Sequence, residues 1–153
     1  MPLIPRWDAT SFVDRRSPWR KPALAIREGK REQRTDYALA IVDDTEGDVI
    51  GAGELHVDSI RHHRGEVGYI LRRETWGRGL PTEVAGLLLR CGFDELRLHR
   101  LWATCDPANA ASIRVLEKIG MRREGLLREH YLAHDGTWRD AVVYAAIRDS
   151  TKG

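Results

Sequence analysis

Apolar runs separated by polar stretches divide the chain into short elements. Residues 37–42 are a short apolar run and residues 49–57 a second, and the polar stretch Asp43-Asp44-Thr45-Glu46-Gly47-Asp48 between them predicts an antiparallel hairpin. A third strand is expected over residues 66–72, entered through Arg61-His62-His63-Arg64-Gly65. From Pro81 the period changes. Val84, Leu87, Leu88 and Cys91, with Ala85, Leu89, Phe93 and Leu96, fill two adjoining faces at helical spacing, as in a helix packed on a sheet. Residues 101–105 are a central strand, and Asp106-Pro107-Ala108 leads to Asn109. That residue is a good N-cap for a helix with Ile113, Leu116 and Ile119 inward and Gly120 at its end. Two last strands, over residues 122–132 and 137–147, flank the turn His134-Asp135-Gly136. Ahead of all these, Asp8, Thr10 and Ser11 signal a short helix around Phe12 and Val13. Residues 22–34 read as a helix whose run Arg27-Glu28-Gly29-Lys30-Arg31-Glu32 is a solvated face. The order αββ, βαβα, ββ predicts an α+β fold with a mixed sheet.

Composition narrows this picture. At 153 residues and 42% hydrophobic content, residues 1–153 form one domain with a core of its own. Twenty-five basic side chains against 23 acidic leave a formal charge of +2, which argues for no obligate nucleic-acid partner. Cys91 and Cys105 sit in apolar contexts as small buried hydrophobes rather than a disulfide pair, which suits a reducing cytoplasm. The N-terminus carries Pro2 and Pro5 and no continuous apolar run, and nowhere does the chain approach the ~20 apolar residues of a membrane span, so a soluble protein with no membrane partner is expected. His62 and His63 point to opposite faces of an extended chain and lack an acidic or cysteine ligand at metal spacing; no metal is expected.

The candidate chemistry lies at the passage from strand 66–72 to the following helix. Gly77 and Gly79 allow a tight turn and close backbone approach, and the first amides of a helix point outward with partial positive charge, a natural seat for phosphate. Arg72, Arg73 and Arg78 crowd the same place. The turn lacks the G-x-x-x-x-G-K-[ST] spacing of a nucleotide P-loop, and Thr82 stands where a dinucleotide fold needs a third glycine. A compact diphosphate cradle remains.

The run Glu74-Thr75-Trp76-Gly77-Arg78-Gly79 resembles the [QR]-x-x-G-x-[GA] coenzyme A signature of the GNAT superfamily of N-acyltransferases. Residues 109–121 are similar to the N-x-x-S-x-x-[VL]-x-x-K-x-G-F segment of its ribosomal-protein-alanine (RimJ/RimL-like) branch, and Gly136-Thr137-Trp138-Arg139-Asp140 resembles that branch's C-terminal strand. Glu74, Pro81 and Met121 depart from the pattern, Pro81 in a position that the first helical turn tolerates. The resemblance implies a mostly antiparallel mixed sheet with helices on both faces and an acetyl-CoA-binding core over residues 36–147, with residues 1–35 as an atypical N-terminal segment. The strand with which family members begin is short or missing here. Either the chain starts late, or its first segment replaces that strand, or a partner subunit supplies the edge, so a homodimer is among the expected assemblies.

The resemblance further implies transfer of an acetyl group from acetyl-CoA to an amine, a protein N-terminus or a small molecule, in a ternary complex. Gly77, Arg78, Gly79, Leu80 and Pro81 would form the phosphate turn. Backbone groups of Ile70, Leu71 and Arg72, left free where two strands splay, would hold pantetheine and the thioester oxygen. Asn109 would bond the pantetheine arm or only cap its helix. Ser112 would face the sulfur as general acid or only fill a helical position. Leu116 stands where relatives often carry the tyrosine that serves as acid, so this role would move to Ser112. Glu66 is the candidate base, with Glu54 and Asp106 as rivals, while Thr104 occupies a place where some relatives have glutamate. Set against an active enzyme is a CoA-binding regulatory module of weak or lost turnover; a phosphate-binding protein unrelated to CoA is a third reading.

Overall fold

The computed structural model describes residues 35–42, 47–75 and 79–149. The helices expected around Phe12 and over residues 22–34 therefore lie outside the described residues, as do Trp76, Gly77 and Arg78. Six strands and two helices follow in the order β1 (Asp36–Val42), β2 (Val49–Ser59), β3 (Arg64–Leu71), α1 (Leu80–Arg90), β4 (Arg100–Cys105), α2 (Ala110–Lys118), β5 (Arg122–Leu132) and β6 (Trp138–Ile147). The strands form one sheet, β1-β2-β3-β4-β6-β5, in which only the β3–β4 pair is parallel. The fold is the expected mixed, mostly antiparallel α+β sheet.

Element boundaries move where side chains extend the ladder. β2 runs on to Ser59 and β3 begins at Arg64, because the Arg64 guanidinium bonds both oxygens of Asp58 across the turn at 2.9 and 3.0 Å. α1 opens one residue before Pro81 and continues through a wider π-helical turn, Cys91–Glu95. Gly92 within that turn lies so close to β4 that a Cβ would come within 2.6 Å of Leu101 Cδ1.

One face of the sheet carries the core. Tyr37, Leu39, Leu55, Val67, Leu71, Leu101, Ala103, Val142 and Tyr144 share it by strand parity, and Val84 and Leu88 of α1 and Leu116 of α2 pack down on them. Gly53 makes room for α1, since a Cβ there would sit 3.2 Å from Leu88 Cδ2. Tyr144 donates its hydroxyl to Glu117 at 3.2 Å and ties α2 to β6. Both described helices thus lie on this face, whereas helices on both faces were expected; residues 1–34 are outside the described residues. On that other face Ala38, Ala52, Glu54 and His56 are exposed, and Asp58 accepts the indole N–H of Trp102 at 3.0 Å. No helix among the described residues is long and apolar enough to cross a membrane.

Candidate active site

β3 and β4 pair only over Arg64–Arg100, Gly65–Leu101 and Glu66–Trp102. Beyond Glu66 they part, leaving a gap between Val67–Leu71 of one strand and Ala103–Cys105 of the other. The gap follows the splay that the family resemblance implied, but the backbone groups that face it differ from those expected. The Arg72 amide donates to the Ile50 carbonyl at 2.8 Å. Strand parity then turns the main-chain groups of Ile70 toward β2 as well, and those of Val67, Tyr69 and Leu71 toward β4. Of the expected trio Ile70, Leu71 and Arg72, only Leu71 has the parity of the gap. Ile70 contributes a side chain instead, 78% exposed on the open face.

The start of α1 is shaped by Gly79, the N-cap, at φ 71 and ψ 0. A Cβ on it would meet nothing within 4 Å, so glycine is called for by the left-handed backbone rather than by space. Leu80 is 1% exposed and anchors the turn in the core. The helical ladder opens with the Glu83 amide on the Gly79 carbonyl at 3.2 Å, so the amides of Gly79, Leu80 and Thr82 have no acceptor inside the helix and Pro81 has no amide to offer. Thr82, overlooked in the sequence, is therefore the third donor of this turn. The residues present fit an anionic diphosphate, with Gly77 and Arg78 outside the described part.

Asn109 caps α2 as expected, its Oδ1 accepting the Ser112 amide at 3.1 Å. Ser112 stands across the gap from Tyr69 of β3. Both line a cleft of ≈ 150 Å3 between the parted strands and the two helices, together with Val67, Ala103, Cys105 and Leu116. Burial pushes the Tyr69 phenol above its ordinary value of 10.0, the Cys105 thiol adds to the rise and Ser112 opposes it, so the phenol is protonated at neutral pH. Burial, then Asp106, raises the Cys105 thiol too. Tyr69 was read only as a strand former; its parity with Val67 and Leu71 was the signal that it faces the helices.

Glu66 lies on the opposite face at the point where β3 and β4 separate. It is half-buried, and no cationic side chain among the described residues forms an ion pair with it. Burial pushes its carboxyl above 4.5, His56 pulls the other way, and Asp58 adds to the rise. The rivals are differently placed. Glu54 is exposed, across from Gly68. Asp106 is committed to its turn: it accepts the Ala108 amide at 2.8 Å and the Tyr131 hydroxyl at 3.2 Å, and the Ala108 amide chiefly holds it below the usual carboxylate range. Thr104 is half-buried and borders the cleft. Among the described residues no three His, Cys, Asp or Glu side chains gather to hold a metal ion.

The chain belongs to the Acetyltransferase (GNAT) domain family, whose model matches residues 4–122. It is 38% identical over 87 residues to the Uncharacterized N-acetyltransferase YnaD of Bacillus subtilis (strain 168), a match that takes in 57% of this chain and 51% of that protein. Spermidine N(1)-acetyltransferase of Escherichia coli (strain K12) is 32% identical over 101 residues, 66% of this chain and 54% of the relative. The match thus spans about half the length of these curated relatives. Among solved structures, the ribosomal-protein-S5-alanine acetyltransferase from Vibrio fischeri superposes with a TM-score of 0.71 at 27% identity, over 76% of this chain and 63% of that one.

Proposed function

We propose that the protein transfers an acetyl group from acetyl-CoA to an amine by direct attack within a ternary complex. The observation that carries this reading is the parting of β3 from β4 beyond Glu66, with Ser112 and Tyr69 on one side of the opening and Glu66 on the other. Acetyl-CoA supplies the activated acyl carbon. Gly79, Leu80 and Thr82 hold its diphosphate with their amides, with Gly77 and Arg78 completing the turn. The β3 edge from Val67 to Leu71 pairs with the pantetheine arm and polarises the thioester carbonyl. Asn109, already bonded to Ser112, lines the approach. Glu66 takes the proton of the incoming ammonium through water, for which a carboxyl raised by burial is better matched than an exposed one. Ser112 gives its proton to the departing sulfur and recovers one from the nitrogen, which sheds its second proton on becoming an amide.

The acceptor is a protein N-terminus or a small amine; relatives named for spermidine and for a ribosomal-protein alanine support one each. The test is a panel of peptides and polyamines with acetyl-CoA, scored by release of free CoA. Turnover on one class assigns the acceptor. Tight acetyl-CoA binding without turnover on any amine would replace this reading with a CoA-binding regulatory module, which the aliphatic side chain of Leu116, 5% exposed and without a proton to give, favours.

A further inference from the structure

A second cavity, of ≈ 240 Å3, opens at the end of the sheet away from the α1 turn, where β2 passes into β3 and β4 begins. Its floor is apolar: Tyr37, Val57 and Leu98 are buried there, with Leu96 half-buried and Ile60 at the mouth, 44% exposed. Its rim is cationic, formed by His63 and Arg97, both exposed. Among the described residues no carboxylate lines it. The acids of the neighbouring strands are engaged elsewhere, Asp58 with Arg64 and Trp102, and Asp36 with His56. We infer that this cavity is a second binding site, for a small carboxylate with an apolar body. It stands apart from the acetyl-CoA reading and does not depend on it.

The rim is built before a ligand arrives. His63 and Arg97 both hold left-handed backbone, at φ 48 and 55, a conformation that arginine seldom adopts. Each is held there by its surroundings. The His63 amide donates to the Ile60 carbonyl at 3.2 Å, and its own carbonyl accepts the amides of His99 and Arg100 at 2.7 and 3.2 Å, which locks the turn before β3 to the one before β4. On either side of Arg97 the Leu96 amide donates to Cys91 at 3.1 Å and the Leu98 amide to Gly92 at 2.9 Å. A rim fixed in this way loses little freedom on binding. The Arg97 guanidinium is charged at every ordinary pH and its fork matches a carboxylate, while the His63 ring adds an N–H. The floor supplies the remaining selection. A cationic rim over an apolar floor disfavours an amine by its charge and a bare anion for want of apolar contact. Benzene fills a cavity of roughly 150 Å3, so this one admits about ten non-hydrogen atoms, the size of phenylacetate.

The test is a titration of the full chain with phenylacetate, followed by nuclear magnetic resonance on the ring protons of His63, which are assigned by their loss in His63→Asn. The His63 signals should move saturably, with a dissociation constant of about 1 mM, ordinary for a ligand of this size. Phenylacetamide and phenethylamine, of similar shape, should bind at least about tenfold more weakly, and acetate or inorganic phosphate should give no saturable shift. Arg97→Asn places a residue suited to left-handed backbone and removes the cation; it should keep its melting temperature and weaken phenylacetate about tenfold. Ile60→Trp, at an exposed position, should close the mouth and abolish binding, and it carries the test if Arg97→Asn loses its fold. His63 signals that phenylacetate leaves unmoved would overturn the site. So would phenylacetamide bound as tightly as phenylacetate, phosphate alone reproducing the shift, or a folded variant of either kind that retains wild-type affinity.

Discussion

The two halves of the β3–β4 pair are built differently. At Arg64–Glu66 and Arg100–Trp102 the strands are in register. There a Cβ on Gly65 would come within 3.0 Å of Leu98 Cδ1 on the core face, and Asp58 ties Arg64 and Trp102 together on the other. A few residues on, Tyr69 and Cys105 border a cleft and strand polar groups face a gap. A backbone group left unmatched in a buried place costs about 1–3 kcal/mol, so the open half is held apart only because the closed half and the helices are well packed. Stability is concentrated at one end of these strands and binding capacity at the other. Mutations at the two ends should therefore separate cleanly, the first lowering stability and the second lowering affinity or rate.

The largest effect is expected at the open end. Gly79→Asp places a carboxylate at the start of α1, where repulsion of a diphosphate at ~4 Å amounts to about 4 kcal/mol at an effective dielectric near 20, roughly a thousandfold in acetyl-CoA affinity. The fold should lose only about 1 kcal/mol, since Asp tolerates the left-handed backbone better than most residues. Calorimetry that returned wild-type affinity from a folded variant would refute the cradle. Next comes the closed end. Leu101 is fully buried, at 0% exposure. Leu101→Ala should lower unfolding free energy by about 3 kcal/mol in urea titration while leaving coenzyme affinity of the folded fraction intact. Loss of affinity without loss of stability would mean that the two ends are not separable.

Ser112→Ala returns to the open end with a change of rate. It keeps the amide that Asn109 caps, so stability and coenzyme affinity should be retained while turnover falls about a hundredfold, the middle of the range for general acid catalysis. An unaltered turnover would leave Ser112 as a packing residue.

How far the sequence could foresee this depended on whether a feature is local. The period change at Pro81, the Asn109 cap and the Gly120 stop are each set within one turn, and they were readable to within a residue or two. The sheet's strands were equally plain as apolar runs between polar turns. The choice of backbone groups facing the gap was not, because it depends on which edge of β3 is taken by β2, and the Arg72–Ile50 bond fixes that parity only in three dimensions. Tyr69 escaped for the same reason: Ser112, which lines the same cleft, is brought opposite it by the crossover through α1 and β4. Asp106 could be set aside as a base only when Ala108 and Tyr131 were seen to occupy its oxygens.

The smallest effect is expected where the two halves meet, at Glu66. Its carboxyl is raised in the folded protein above the ordinary 4.5, chiefly by burial, so the folded state binds this proton more tightly than the unfolded chain does. The stability that Glu66 contributes is accordingly complete below about pH 4.5 and is lost as pH rises through the higher folded value. Glu66→Gln removes that loss. Its melting temperature at neutral pH should equal or slightly exceed that of the wild type, and its stability should fall less between acid and neutral pH. The rate should respond in the opposite sense. If Glu66 takes the ammonium proton, the variant is slower near neutrality and recovers as pH rises and free amine accumulates. A stabilising ion pair at Glu66 would give the reverse pattern, a lower melting temperature with the wild-type shape of the rate profile. Measuring both curves on one variant decides between a base and a structural carboxylate, and a variant with full activity at all pH values would pass the role to Glu54 or to water.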